Sequence, residues 1–277
     1  MPTADLTAFA ERGYVILPGL FEPAVVADAR AAMDELVDRA AAALVASGAL
    51  SDELRDEPFE TRLHRLFDGR LDIAPKSFRP ELHLRGLFGV FFHPRLLDVA
   101  EQLLGPELRL YPNYTARPKF PDAEIHRVLW HQDGGYTATQ TDRVVEALRM
   151  VNVWAPLVPA REANGCMQFV PGTHKLGVVP HVQREHYLEI PQEVLDLLRP
   201  APVSIELDPG DVVLFSNLLF HQGLPNRADT IRWSLDWRYQ DATQPTLRKE
   251  EGHLARSRQH PERVVRDLEG WAAREFG

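Results

Sequence analysis

A chain of 277 residues, 44% hydrophobic and 26% charged, holds enough apolar material to bury a sizeable core. Its net charge of −9 speaks against a nucleic-acid binder, which needs a basic face, and no apolar run is long enough to span a bilayer. A single cysteine, Cys166, excludes an intrachain disulfide and suits a reducing cytoplasm.

The start, Met1-Pro2-Thr3-Ala4-Asp5, has neither the basic residues nor the apolar stretch of a secretory signal, so a cytoplasmic location is expected. No low-complexity linker divides the chain, and the expectation is one domain over 1–277. Residues 1–107 read mainly as helix. Pro23 opens a segment from Ala24 to Val45 with apolar residues at helical spacing, and Gly48 stops it. A second helix is expected over His93–Leu104, with Pro94 in its first turn and Gly105-Pro106 at its end.

From Leu108 the texture changes to short β-like pieces punctuated by Pro, Gly and Asn. They are Leu108–Asn113, Leu148–Leu157, Met167–Val170, Val203–Leu207, Val212–Phe215 and Ile231–Tyr239, with Pro209-Gly210-Asp211 as a turn. An insertion over 174–200 carries a helix at Pro191–Leu198. Many short strands suggest a sandwich or jelly-roll barrel over 108–240, packed against the helical N-terminal layer. The mixed-charge tail, 241–277, reads as solvated helix.

Within this frame stands Trp130-His131-Gln132-Asp133-Gly134, followed by His221 and then Arg232. Two imidazoles and a carboxylate can hold one face of a ferrous ion and leave other positions open for small ligands. With 11 histidines and 40 acids, roughly one or two His-x-acid pairs arise by accident. His260-Pro261-Glu262 is such a pair, assigned to surface because no strand or further histidine backs it. His131 and Asp133, by contrast, follow apolar Val128-Leu129-Trp130. In an extended strand residues two apart project to the same side, so both would aim into the barrel.

His221 closes the apolar run Val212–Phe220, where the plain account is a buried, hydrogen-bonded core histidine. Arg232 opens an apolar strand, and an arginine aimed inward needs an anion. That anion is either a ligand carboxylate or a structural partner such as Asp208, Asp211 or Asp236; the ligand is preferred. The pieces together point to an iron-dependent oxygenase.

At these residues the chain resembles the phytanoyl-CoA dioxygenase family of iron(II)- and 2-oxoglutarate-dependent oxygenases. The resemblance runs from about Leu108 to Tyr239. It rests on His131-Gln132-Asp133, Asn164-Gly165-Cys166, Phe169-Val170-Pro171-Gly172-Thr173-His174, Gly210-Asp211, and His221 with Arg232. It implies a mainly β fold with flanking helices, a double-stranded β-helix (jelly-roll, cupin-like) with the iron at its open end.

By the same resemblance His131, Asp133 and His221 ligate the metal, and Arg232 grips the distal carboxylate of 2-oxoglutarate. Trp154 lines the co-substrate pocket, and Asn113 matches another position near 2-oxoglutarate. Arg117-Pro118 stands where relatives often carry Lys-Pro. Gly223 replaces a Ser common two residues after the second histidine, removing a hydroxyl that supports the co-substrate. Halogenating relatives have a small residue at the carboxylate position, so Asp133 favours hydroxylation or another oxidation.

His174 more plausibly holds a turn than binds metal, and Cys166 is a small buried filler rather than a nucleophile. His126 is assigned to a surface loop. Tyr136 borders either the substrate cavity or the core. Arg117, Lys119, Arg127 and Arg143 either meet an anionic substrate or are solvated charge, the latter being the plainer account. The expected partners are a small organic substrate and dioxygen, with no nucleic acid and no membrane; a secondary metabolite or small acid is the working guess. The competing readings are a non-catalytic metal- or ligand-binding barrel and a zinc hydrolase with the same ligands.

Overall fold

The computed structural model describes residues 5–123, 128–138, 145–184, 187–198 and 201–273. Helix α1 (Leu6–Arg12) is capped by Asp5, whose carboxylate accepts from the Ala8 amide at 2.8 Å, and it ends at Gly13. Strand β1 (Tyr14–Leu17) follows. Pro23 supplies the first turn of α2 (Pro23–Ala46), and α3 (Arg62–Leu66), α4 (Arg85–Phe91) and α5 (Pro94–Leu104) complete the N-terminal layer.

The remainder alternates β2 (Leu108–Leu110), β3 (Thr115–Lys119), β4 (Val128–His131), α6 (Asp133–Ala138), β5 (Met150–Pro156), β6 (Met167–Phe169), β7 (Val182–Gln183), β8 (Leu188–Glu189), α7 (Gln192–Leu195), β9 (Val203–Ile205), β10 (Val212–Ser216), β11 (His221–Gly223), β12 (Arg232–Asp241), β13 (His253–Arg256) and α8 (Leu268–Ala272).

Among the described residues these strands form two antiparallel sheets. The larger runs β1-β10-β5-β12-β2-β13, with β3 also pairing β12; the smaller runs β4-β11-β6-β9. They lie face to face as a jelly roll of two sheets rather than a closed barrel.

Period-2 alternation in the large sheet divides its side chains between two cores. On β12 Trp233, Leu235, Trp237 and Tyr239 point to the helical layer, while Arg232, Ser234, Asp236 and Arg238 face the small sheet. On β10 Val212 and Leu214 join the helix-side core, and Val213 and Phe215 join a second one shared with Met167, Phe169 and Ile205. Each buried aromatic adds roughly 2–3 kcal/mol of transfer free energy. The sheet is thereby fixed from behind by helices, leaving its other face free to build a site.

Three sequence expectations need correction. Tyr14–Leu17 lies in a region read as helical, yet these four residues between Gly13 and Pro18 are too few for a helix and pair in register with β10, Tyr14 opposite Phe215. Thr115–Lys119, which contains Pro118, was not among the candidate strands. Proline suits this position near the sheet edge, where among the described residues β3 meets, besides β12, the isolated bridge from Phe78 to Ala116. The C-terminal segment is not solvated helix throughout. β13 extends the large sheet, and the Trp271 indole of α8 packs among Phe88, Phe91, Phe92 and Tyr114, so one buried indole outweighs many surface charges. No helix among the described residues is long and apolar enough to cross a membrane.

Candidate active site

β4 and β11 lie side by side in the small sheet with His131 and His221 as direct partners, their rings 4.1 Å apart. Each ring is locked the same way. The Nδ1 of His131 donates to the Leu129 carbonyl at 2.7 Å, and that of His221 to the Leu219 carbonyl at 2.8 Å. A carbonyl can only accept, so both Nδ1 atoms carry the proton and both Nε2 atoms present lone pairs. Burial, and then the neighbouring His131, push the His221 pKa down to about 3, which keeps that ring neutral.

Asp133 reaches the same point by a route different from the one expected. The strand ends at His131 and the chain turns into α6, whose first residue is Asp133. The fully buried Gln132 amide pins this turn. It donates to the carbonyls of Gly177 and Leu218 at 2.8 and 2.7 Å and accepts from the Val179 amide at 2.9 Å. Asp133 Oδ1 then lies 3.5 Å from His131 Nε2 and 4.0 Å from His221 Nε2. Among the described residues these three are the cluster able to hold a metal ion, their donor atoms within 4.8 Å of one another. Two neutral imidazole nitrogens and a carboxylate oxygen suit iron(II) and leave further coordination positions open.

The other carboxylate oxygen is taken. Oδ2 accepts from Arg238 Nη2 and from Asn152 Nδ2, both at 2.8 Å, and Arg238 Nε donates to Asn152 Oδ1 at 3.1 Å. Asn152 and Arg238 are partners across β5 and β12. Burial alone would raise the Asp133 pKa, but Arg238 and the two imidazoles outweigh it and hold the carboxyl well below its ordinary range. Neither Asn152 nor Arg238 was singled out from the sequence. For Arg238 the signal was present in the polar even positions of Ile231–Tyr239, of which Arg232 and Asp236 were used.

A cavity of about 360 Å³ opens from the triad and reaches Arg232, Trp154, Asn113, Arg117 and Tyr136. Arg232 is 5% exposed and lies over the Trp154 ring at 5.3 Å. Its Nη1 donates to Ser234 Oγ, and its buried Nε has no partner. Among the described residues no carboxylate pairs with it. Asp208 binds Arg161, Asp211 accepts from the Gly19 amide, and Asp236 binds Arg117. Burial pulls the Arg232 pKa down to about 10, so it stays charged. A buried guanidinium that lines a cavity and has no carboxylate partner among the described residues fits a dicarboxylate end well.

Asn113 Oδ1 accepts from Arg79 at 3.1 Å, and the Tyr136 ring meets the His131 edge at 5.7 Å while its hydroxyl accepts from the Leu188 amide. Arg79 and Arg248, which the sequence reading did not pick out, line the cavity beside Tyr187. His174 lies outside it, donating to the Ala10 carbonyl at 3.2 Å, as a turn-holding residue should. Cys166 is fully buried and burial raises its thiol to about 11, so it is inert. His260 and Glu262 are exposed, 3.6 Å apart. His126, Arg127 and Arg143 lie outside the described residues.

Comparison with known proteins bears on the whole of this frame. A 1-deoxypentalenic acid 11-beta-hydroxylase of Streptomyces arenae is 30% identical over 165 residues, 54% of this chain and 56% of the relative. A probable phytanoyl-CoA dioxygenase of Caenorhabditis elegans is 26% identical over 191 residues, 62% and 60% respectively. The chain thus spans under two thirds of those relatives. A solved non-heme monooxygenase, ThoJ, superposes with a TM-score of 0.64 at 21% identity, covering 94% of this chain and 85% of that one. EctD from S. alaskensis with 2-oxoglutarate and 5-hydroxyectoine gives 0.61 at 20% identity, covering 98% and 83%. These structures speak for the fold. The model of the phytanoyl-CoA dioxygenase family matches residues 9–234, from α1 through both sheets and past Arg232, and the chain belongs to that family.

Proposed function

We propose that this protein is an iron(II)- and 2-oxoglutarate-dependent dioxygenase that hydroxylates a C–H bond of a small organic acid. The observation that carries the reading is two Nε2 lone pairs and one carboxylate oxygen converging at one end of a cavity, with an unpaired buried guanidinium further along it. Iron and 2-oxoglutarate, when bound, supply dioxygen activation coupled to decarboxylation of the co-substrate to succinate.

The protein's share is positioning. His131, His221 and Asp133 hold the metal, and Arg238 with Asn152 fixes the rotamer of Asp133. Arg232 receives the distal carboxylate of 2-oxoglutarate against Trp154. Phe215, Met167 and Trp154 line the cavity and limit water. No side chain is required as nucleophile, and the carboxylate at position 133 favours hydroxylation over halide transfer.

The rim argues for an anionic substrate. Arg79, Arg117, Arg238 and Arg248 line the cavity, and among the described residues the carboxylates answering them are Asp236, bound to Arg117, and Asp133, bound to Arg238. Arg79 and Arg248 are left without one, which suits a substrate carboxylate or phosphonate. The relative named for a pentalenic acid is consistent with this class. The lone buried Cys166 suits a cytoplasmic protein.

The test is succinate release with Fe(II), ascorbate and 2-oxoglutarate, driven by a panel of small acids and their methyl esters. Stimulation by an acid and not by its ester supports the reading. Asp133→Ala is expected to lower the stimulated rate by about a thousandfold or more, on the scale of losing a group essential to the chemistry. Full turnover in that variant would refute Asp133 as a metal ligand, whereas metal binding without any 2-oxoglutarate consumption would mean a non-catalytic barrel.

A further inference from the structure

We infer that Lys119 is a second cation for the distal carboxylate of 2-oxoglutarate, its ammonium taking the place left by the missing side chain at Gly223. The inference rests on the proposed identity of the co-substrate. Lys119 and Arg232 are direct partners across β3 and β12, and directly opposed residues project from the same face of a sheet. Lys119 is only 4% exposed, and among the described residues its Nζ has one hydrogen bond, donated to the Gly223 carbonyl at 3.3 Å. Among the described residues no carboxylate pairs with either cation. Two buried positive charges side by side repel each other and are costly unless an anion joins them. Burial, with Arg232 and Arg117 next, pulls the Lys119 pKa down to about 7, as expected of an ammonium lacking its counter-ion.

Two glycines make room for this side chain. Gly165 has φ +85°, and a Cβ there would lie 2.8 and 2.9 Å from Cε and Cδ of Lys119 and 2.5 Å from the Leu224 carbonyl. The Asn-Gly-Cys turn is therefore the wall along which the lysine stem runs. At Gly223, which lines the cavity, a Cβ would lie 3.2 Å from Nζ. A serine hydroxyl at 223 and the Lys119 ammonium would compete for one space, and this chain has kept the ammonium. Arg117, two residues earlier on the same strand, does not duplicate the role, since its Nε is held by Asp236 at 2.6 Å.

The decisive experiment is anaerobic ligand titration of the Fe(II)-loaded protein, which needs no turnover. Two keto acids are compared, 2-oxoglutarate and 2-oxobutyrate, the second having the same chelating head but no distal carboxylate. Lys119→Met is expected to weaken 2-oxoglutarate tenfold or more, leaving 2-oxobutyrate and iron affinity unchanged. Adding Gly223→Ser to Lys119→Met should recover part of the loss. Lys119→Gln, neutral and shorter, serves as second variant should methionine not fold.

Unchanged 2-oxoglutarate affinity in the neutral variants would overturn the inference. So would an equal loss for both keto acids, which would mark Lys119 as packing only. A wild-type protein that binds iron but no 2-oxoglutarate would instead sink the co-substrate reading itself, a pattern distinct from either.

Discussion

At the triad end of the cavity Asp133 carries its own counter-charge, Arg238 at 2.8 Å, and each imidazole has its Nδ1 fixed by a carbonyl. At the far end Arg232 and Lys119 lie opposite one another, answered by a serine hydroxyl, an indole face and a backbone carbonyl, and by no carboxylate among the described residues. Each end holds two charged side chains largely out of water, of opposite sign at the first and of like sign at the second. One is finished by the protein and the other awaits an anion. Buried charge left unpaired is costly, so the unfinished end is the stronger pointer to a ligand, while the finished end shows which geometry is set beforehand.

Removing the partner that finishes the first end should have the largest effect. Arg238→Met is expected to weaken Fe(II) binding by about 10- to 100-fold, the usual cost of losing an outer partner of a metal ligand. It would free Asp133 to turn and leave Asn152 as its single anchor. Iron titration followed by spectroscopy or calorimetry reads this directly. If Arg238→Met bound iron as tightly as the wild type, the triad end would not be preorganised by its pairing, and the contrast between the ends would collapse.

How far this contrast could be read in the sequence depended on chemistry more than on shape. The three donors and Arg232 were legible because few residue types bind iron or a carboxylate, and their spacing around apolar strands set them apart from His260-Pro261-Glu262. The means of bringing Asp133 inward was not legible. Strand alternation gave the right side for the wrong reason, because the chain enters a helical turn there, pinned by long-range bonds from Gln132 to Gly177 and Leu218. Arg238 and Asn152 become neighbours only through the β5–β12 register, which no local pattern reveals. Arg79 comes from the region read mainly as helix, and solvated charge was the plainer account of Lys119. Its burial follows from glycines 46 and 104 positions further on, at 165 and 223.

The rim offers a milder form of the same asymmetry. Arg79 is half-buried, bonded to the Asn113 side chain, and pulled below its ordinary pKa by burial and by Arg117, Arg238 and Arg248. Arg79→Met should raise KM for whichever acid proves active by about tenfold, the low end for a charge-assisted hydrogen bond at a partly exposed site. kcat for that acid and the 2-oxoglutarate Kd should hold. A rise in the 2-oxoglutarate Kd instead would move Arg79 from the substrate rim to the co-substrate.

The smallest expected effect is on pH dependence, and its sign separates the two ends most finely. The groups facing Lys119 are the cations Arg232 and Arg117 and the thiol of Cys166; Cys166 and Arg232 change charge well above neutrality. With a pKa near 7 in the free site, Lys119 is charged below that pH and loses its proton above it. A carboxylate binds the charged form, so 2-oxoglutarate affinity should be highest below pH 7 and fall as pH rises, with proton uptake on binding. If only the protonated form bound, the fall from pH 6 to pH 8 would be about tenfold, a ceiling set by one titrating group. In Lys119→Met that slope should vanish, and 2-oxobutyrate should lack it even in the wild type. Because metal ligation is common to both keto acids, subtracting one profile from the other removes any titration at the triad. A slope that survives in Lys119→Met would place the titrating group elsewhere and leave Arg232 as the sole anchor of the distal carboxylate.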